Sequence, residues 1–128
     1  MIVISDGADT ASDHSLAQTR EMLRRSDAFV YAVAIDSATE QRVSTRVNPE
    51  ALRDMTGPSG GYTEVVRSSA DLASATQRIA DELNLQYMLG YATNRPQDGS
   101  WRTIRVRIRN RDYVARARRG YFATGPKT

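Results

Sequence analysis

Two uninterrupted apolar runs constrain this chain more than any other feature: Ile2-Val3-Ile4, closed by Ser5, and Ala28 to Ile35, each followed by an acidic residue, Asp6 and Asp36. Neither run alternates with polar residues. Both therefore read as strands covered on both faces, the kind found in parallel sheets. Between them, Ser15-Leu16-Ala17-Gln18 has capping-box spacing, and Leu16, Thr19 and Leu23 form a helical stripe that runs out at Arg24-Arg25. This predicts a helix over 15–25. Two buried strands joined through a helix require a crossover, and such crossovers are right-handed.

The polar stretch Ser37 to Val47 has no period and reads as a surface loop. Asn48-Pro49 opens a second helix, since Asn caps free amides and Pro at the first helical position forfeits no hydrogen bond. Ala51, Leu52 and Met55 give its inner face, and Gly57 marks its expected stop. A short strand is expected over Tyr62 to Val66. Ser68 with Asp71 then opens the longest helix, with Leu72, Ala75, Ile79 and Leu83 on one stripe.

After Asn84 the period changes. Tyr87, Leu89 and Tyr91 alternate, Asp98-Gly99 marks a turn, and Ile104, Val106 and Ile108 alternate with Arg105, Arg107 and Arg109. A last strand is expected over Tyr113 to Arg119. The reading is antiparallel, with one wet face. A boundary is expected near residue 85, dividing an α/β unit over 1–85 from an antiparallel β extension over 86–128.

Charge divides at the same place. Residues 1–85 carry 8 basic and 13 acidic side chains, and residues 86–128 carry 10 and 2. A basic second half suggests an anionic partner, although a charged run is also the ordinary way to solvate a strand face and protect its edge. The 128 residues suit one compact domain, and the absence of cysteine excludes disulfides, thiolate metal sites and thiol nucleophiles. No apolar run approaches the ~20 residues that span a bilayer. Met1 leads straight into the first strand without a basic leader or cleavage site, so no membrane span and no signal peptide are expected.

The order strand, Ser5-Asp6-Gly7, helix, strand, Asn48-Pro49 helix, Gly60-Gly61-Tyr62, long helix resembles the C-terminal half of a von Willebrand factor A (VWFA) domain over about residues 2–84. The tail, with Gln86-Tyr87-Met88-Leu89-Gly90-Tyr91 and Arg118-Arg119-Gly120-Tyr121-Phe122, resembles the β-rich extension of bacterial VWFA-related proteins. The resemblance implies a partial Rossmann-like sheet of three parallel strands with flanking helices, followed by an antiparallel segment. It also implies a protein-interaction module of adhesion type, in a family whose full-length members are often exported. Family members hold a divalent cation at the C-terminal edge of the sheet with three loops. Asp6 matches the aspartate of the third, and an oxygen ligand of that kind suits Mg²⁺. The first two loops have no counterpart: Asp13-His14-Ser15-Leu16-Ala17 lacks the final serine of the Asp-x-Ser-x-Ser pattern and follows Asp6. The adhesion site is therefore expected to be incomplete, with Mg²⁺ only if the missing loops are supplied elsewhere. In the complete fold the strand at residues 2–5 has neighbours on both sides, so its open edge is expected to be covered either by the chain's own β-tail or, the favoured reading, by the same edge of a second copy in a homodimer.

No enzymatic activity is expected. Ser5 lacks the Gly-x-Ser-x-Gly elbow, His14 is the only histidine, and Gly57 to Gly61 lacks a phosphate-loop lysine and reads as a turn. The alternative is an anion or nucleic-acid binder using Arg105, Arg107 and Arg109 on one strand face, since arginine binds phosphate or carboxylate in bidentate fashion. Nucleic acid is disfavoured because no recognised binding motif accompanies the charge.

Overall fold

The computed structural model describes residues 1–5, 12–36 and 49–124. Its first unit runs β1 (Ile2–Ser5), α1 (Leu16–Arg25), β2 (Tyr31–Ile35), α2 (Pro49–Ser59), β3 (Thr63–Val66) and α3 (Ser69–Asn84). The strands form one parallel sheet in the order β1-β2-β3, with Ile2 opposite Tyr31 and Ala32 opposite Thr63. The second unit is a separate antiparallel pair, β4 (Trp101–Thr103) and β5 (Gly120–Phe122). The protein is therefore mixed α/β, as expected.

β2 explains how the sheet is covered on both faces. Tyr31 and Val33 pack with Val66, Ala75 and Ile79 beneath α3, whereas Ala32 and Ala34 pack with Leu52 beneath α2. Period-two alternation sends the large side chains one way and the small ones the other. Ile79 is fully buried, and its truncation to alanine would cost about 2–5 kcal/mol.

The helix starts follow the capping residues. The Ser15 hydroxyl accepts from the Gln18 amide at 3.2 Å while the Gln18 side chain accepts from the Ser15 amide at 2.8 Å, and the Ser68 hydroxyl accepts from the Asp71 amide at 3.1 Å. Asn48 and the loop expected over Ser37 to Val47 lie outside the described residues.

Two boundaries of the first unit differ from expectation by more than one residue. α2 continues through Gly57 and Pro58 to Ser59, and the stop is Gly60, whose φ of 95° is open to glycine at little cost. Pro58 falls in the last turn, and Ser59 ties that end to the sheet: its hydroxyl donates to the Thr56 carbonyl at 2.6 Å and accepts from the Val30 amide at 2.9 Å. For the same reason β2 begins at Tyr31 and not Ala28, because the Val30 amide is engaged by that hydroxyl before the ladder starts.

The tail departs furthest. Tyr87 to Tyr91 forms no strand, and the alternating segment Ile104 to Ile108 lies beyond β4. The strand expected over Tyr113 to Arg119 is displaced to Gly120–Phe122. Alternation describes which faces a segment could present, but a strand also needs a partner, and an isolated two-stranded ribbon is marginal in water. Pairing persists where aromatic contact supports it: Trp101 and Phe122 meet edge to face at 5.0 Å, and Gly120 admits the Trp101 ring and the Arg102 carbonyl where a Cβ would clash. The Asp98-Gly99 turn is present, with Gly99 at φ 71°.

Candidate functional site

The sheet is unevenly covered at β1. Val3 packs on the α2 side, whereas Ile2 and Ile4 lie on the face that α3 covers over its neighbours but not over β1, and they remain 49% and 58% exposed. β1 pairs with β2 alone, so its outer edge carries no partner strand among the described residues. Tyr31, the register partner of Ile2, donates from its hydroxyl to Glu82 at 3.3 Å and accepts from the Gln86 amide at 3.1 Å. Burial, the largest influence, pushes this phenol above its ordinary pKa, so it serves the network in its neutral form. Gln86 thus anchors the chain at the end of the sheet where Ile2 lies. The residues that follow, Tyr87, Met88 and Leu89, are exposed.

The arginines of the tail separate into two sets. Arg105, Arg107 and Arg109 are exposed, lie outside any strand and make no ion pair among the described residues. No strand aligns them on a common face, because β4 ends at Thr103. Arg116 and Arg118 instead hold the tail to the acidic first unit. The Arg118 guanidinium meets Asp27 at 2.7 Å and donates to the Ser26 carbonyl at 2.7 Å, and Arg116 lies 3.2 Å from Glu82 and 4.4 Å over the Tyr62 ring. From the opposite side, Arg24 and Arg25 of α1 stack over Trp101 and Phe122 at 4.4 and 4.7 Å. In the sequence, Arg24-Arg25 reads as an ordinary helix end. Their spacing carries no signal of the aromatic partners, which lie 77 and 97 residues further along the chain.

Asp6 lies outside the described residues, so the implied cation ligand has no described geometry. Asp13 and His14 are exposed just before α1. Among the described residues no group of three His, Cys, Asp or Glu side chains is placed to hold a metal ion, and no helix is long and apolar enough to cross a membrane. No family model, curated protein or solved structure matches the chain.

Proposed function

We propose that this chain is the second half of a VWFA-type domain acting as a protein-interaction module, and that its first partner is a second copy of itself. The observation that carries this reading is the apolar outer side of β1, where Ile2 and Ile4 are half exposed beside an edge with no described partner strand. Such an edge is a template for another strand. The parallel order β1-β2-β3 with helices on both faces supports the family assignment.

Residues 2–4 carry no charge, so two copies can pair antiparallel about a two-fold axis near Val3 without like charges meeting. That arrangement sets Ile2 of each copy beside Ile4 of the other and joins the two sheets. The Met1 ammonium is directed away from the edge, donating to the Phe29 carbonyl at 2.8 Å. The exposed Tyr87-Met88-Leu89 segment, which follows the Gln86 anchor on Tyr31, offers further apolar area to a partner.

Light scattering over a concentration series tests the reading. A dimer at high micromolar concentration, reduced to a monomer by Ile4→Lys with an unchanged melting curve, is the expected result. A monomer throughout, with slow amide exchange across residues 2–5, would overturn it. Cation binding at Asp6 belongs to the same proposal but depends on loops this chain lacks. The alternative of anion binding through Arg105, Arg107 and Arg109 is favoured only by their freedom from carboxylates.

A further inference from the structure

α1 packs chiefly against α2 and β5 and stands off the sheet. The gap beneath it is a cavity of ≈ 230 Å³, walled by Thr19 and Leu23 of α1, Leu52 and Met55 of α2, and Val3 and Ala32 of the sheet. Ala32 leaves the space open, since the larger side chains of β2 point to the other face. Two threonines touch the cavity, but their hydroxyls are engaged elsewhere. Thr19 donates to the Ser15 carbonyl at 3.2 Å, and Thr56 pairs with Thr63 at 3.0 Å, so both present methyl groups to the cavity. A space with no polar partner does not hold ordered water, and a smaller apolar cavity of about 150 Å³ already accommodates benzene.

The residues next in sequence on both helices line a second, charged cleft. Arg20 follows Thr19, Arg24 follows Leu23 and Asp54 precedes Met55, with Arg119 of the tail completing the wall. Asp54 is the one carboxylate there, and Arg20 pairs with it. The Arg20 Nε is buried with no hydrogen-bond partner. Arg24 stacks on Trp101, which leaves its N–H edge available, and neither Arg24 nor Arg119 has a carboxylate partner among the described residues. The cleft therefore retains positive charge, on residues next in sequence to those that wall the apolar cavity.

We propose that the crevice between α1 and α2 binds a short anionic amphiphile, its apolar body in the cavity beneath α1 and its carboxylate or phosphate head on Arg24 and Arg119. The cavity size suits a ring or a chain of roughly eight carbons. Guanidinium groups offer the paired donors that an oxyanion requires.

Calorimetric titration of the full chain with octanoate, octyl phosphate, octan-1-ol and acetate tests it. At least one of the two anionic probes should saturate a single site, and which one does so identifies the head group. Octan-1-ol should bind about tenfold or more weakly, and acetate not measurably. Arg24→Gln with Arg119→Gln should bring the anionic probes down to the level of the alcohol, while Arg105→Gln changes nothing. Thr19→Leu should fill the cavity and weaken binding by about tenfold or more, with Met55→Phe as a second filling variant if the first fails to melt cooperatively. The proposal is overturned by any of three results: no saturable binding of either anionic probe, octan-1-ol binding as tightly as they do, or unchanged affinity in a folded cavity-filling variant.

Discussion

Replacing Arg118 by alanine isolates the contact that holds the basic tail to the acidic first unit. Its side chain is only 18% exposed, and its guanidinium meets Asp27 and the Ser26 carbonyl, each at 2.7 Å. Asp27 is 75% exposed, so the ion pair is screened by water and contributes at most about 1 kcal/mol. The hydrogen bond from a charged donor to the carbonyl is worth more, about 1.5–3 kcal/mol, because the alanine variant leaves that acceptor without its partner. The expected loss is therefore roughly 2–3 kcal/mol, which in a domain of this size lowers the melting temperature by roughly 10 °C. Urea denaturation followed by circular dichroism and by Trp101 fluorescence measures it. Trp101 is the only tryptophan and lies beneath Arg24, so its emission reports tail docking directly. Arg105→Glu with Arg107→Glu is the control: those side chains are exposed and unpaired, and their replacement should cost about 0.5 kcal/mol or less. If Arg118→Ala shifts neither signal by more than the control does, the tail is not held in the way these distances imply.

Gly60→Ala should cost roughly 2–4 kcal/mol, because φ is 95° and the new Cβ would fall 2.6 Å from the Phe29 ring and 2.8 Å from the backbone of Ala117 and Arg118. Gly99→Ala, with φ 71° but nothing within 4 Å, should cost only about 1 kcal/mol, and equal losses in chemical denaturation would show that crowding at Gly60 is unimportant. The carboxyl of Asp71 is held below its ordinary value by the Arg67 amide and then the Ser68 hydroxyl, and that of Asp98 by the Ser100 hydroxyl and then its amide. A folded-state pKa below the unfolded one gives stability that is present above the ordinary carboxylate range and lost as pH falls through the depressed value. Ser68→Ala and Ser100→Ala should therefore flatten the loss of stability below about pH 4, measured as melting temperature against pH. Mg²⁺ should bind more weakly than about 100 μM by calorimetry, and tighter binding abolished by Asp6→Ala would show that this chain completes the site itself.

The first unit was legible because each element carried its own local signal. The capping box at Ser15, the Ser68 cap and the apolar runs of β1 and β2 all specify structure within one turn or one strand, and burial on both faces agrees with them. The errors occurred where a distant atom decided the outcome. Gly57 reads as a helix stop until the Ser59 hydroxyl is seen bound to Val30, 29 residues earlier in the chain, which draws the helix on to Gly60. The tail was misread for a related reason. Ile104, Val106 and Ile108 alternate correctly for a strand, but pairing stops at Ile104, whose amide donates to the Arg119 carbonyl at 2.9 Å; no neighbouring strand meets Val106 and Ile108 among the described residues, and they stay nearly half exposed.

The same distinction governs the charged residues. An arginine's partner is set by three-dimensional packing, so the regular spacing of Arg105, Arg107 and Arg109 drew notice, whereas Arg24, Arg116 and Arg118 gave no comparable sign in the sequence. The useful signal was coarser: an acidic first unit followed by a basic tail, which the ion pairs Arg118–Asp27 and Arg116–Glu82 now join. Part of the charge asymmetry is thereby spent within the molecule. An external anion need only answer to the cations left over; among the described residues these include the exposed segment around Arg105 to Arg109 and the cleft formed by Arg24 and Arg119, besides the scattered Arg53 and Arg95. The cleft shares α1 and α2 with an apolar cavity, so a ligand bound across both would depend on chain length as well as on charge, whereas one bound at the exposed segment would depend on salt alone.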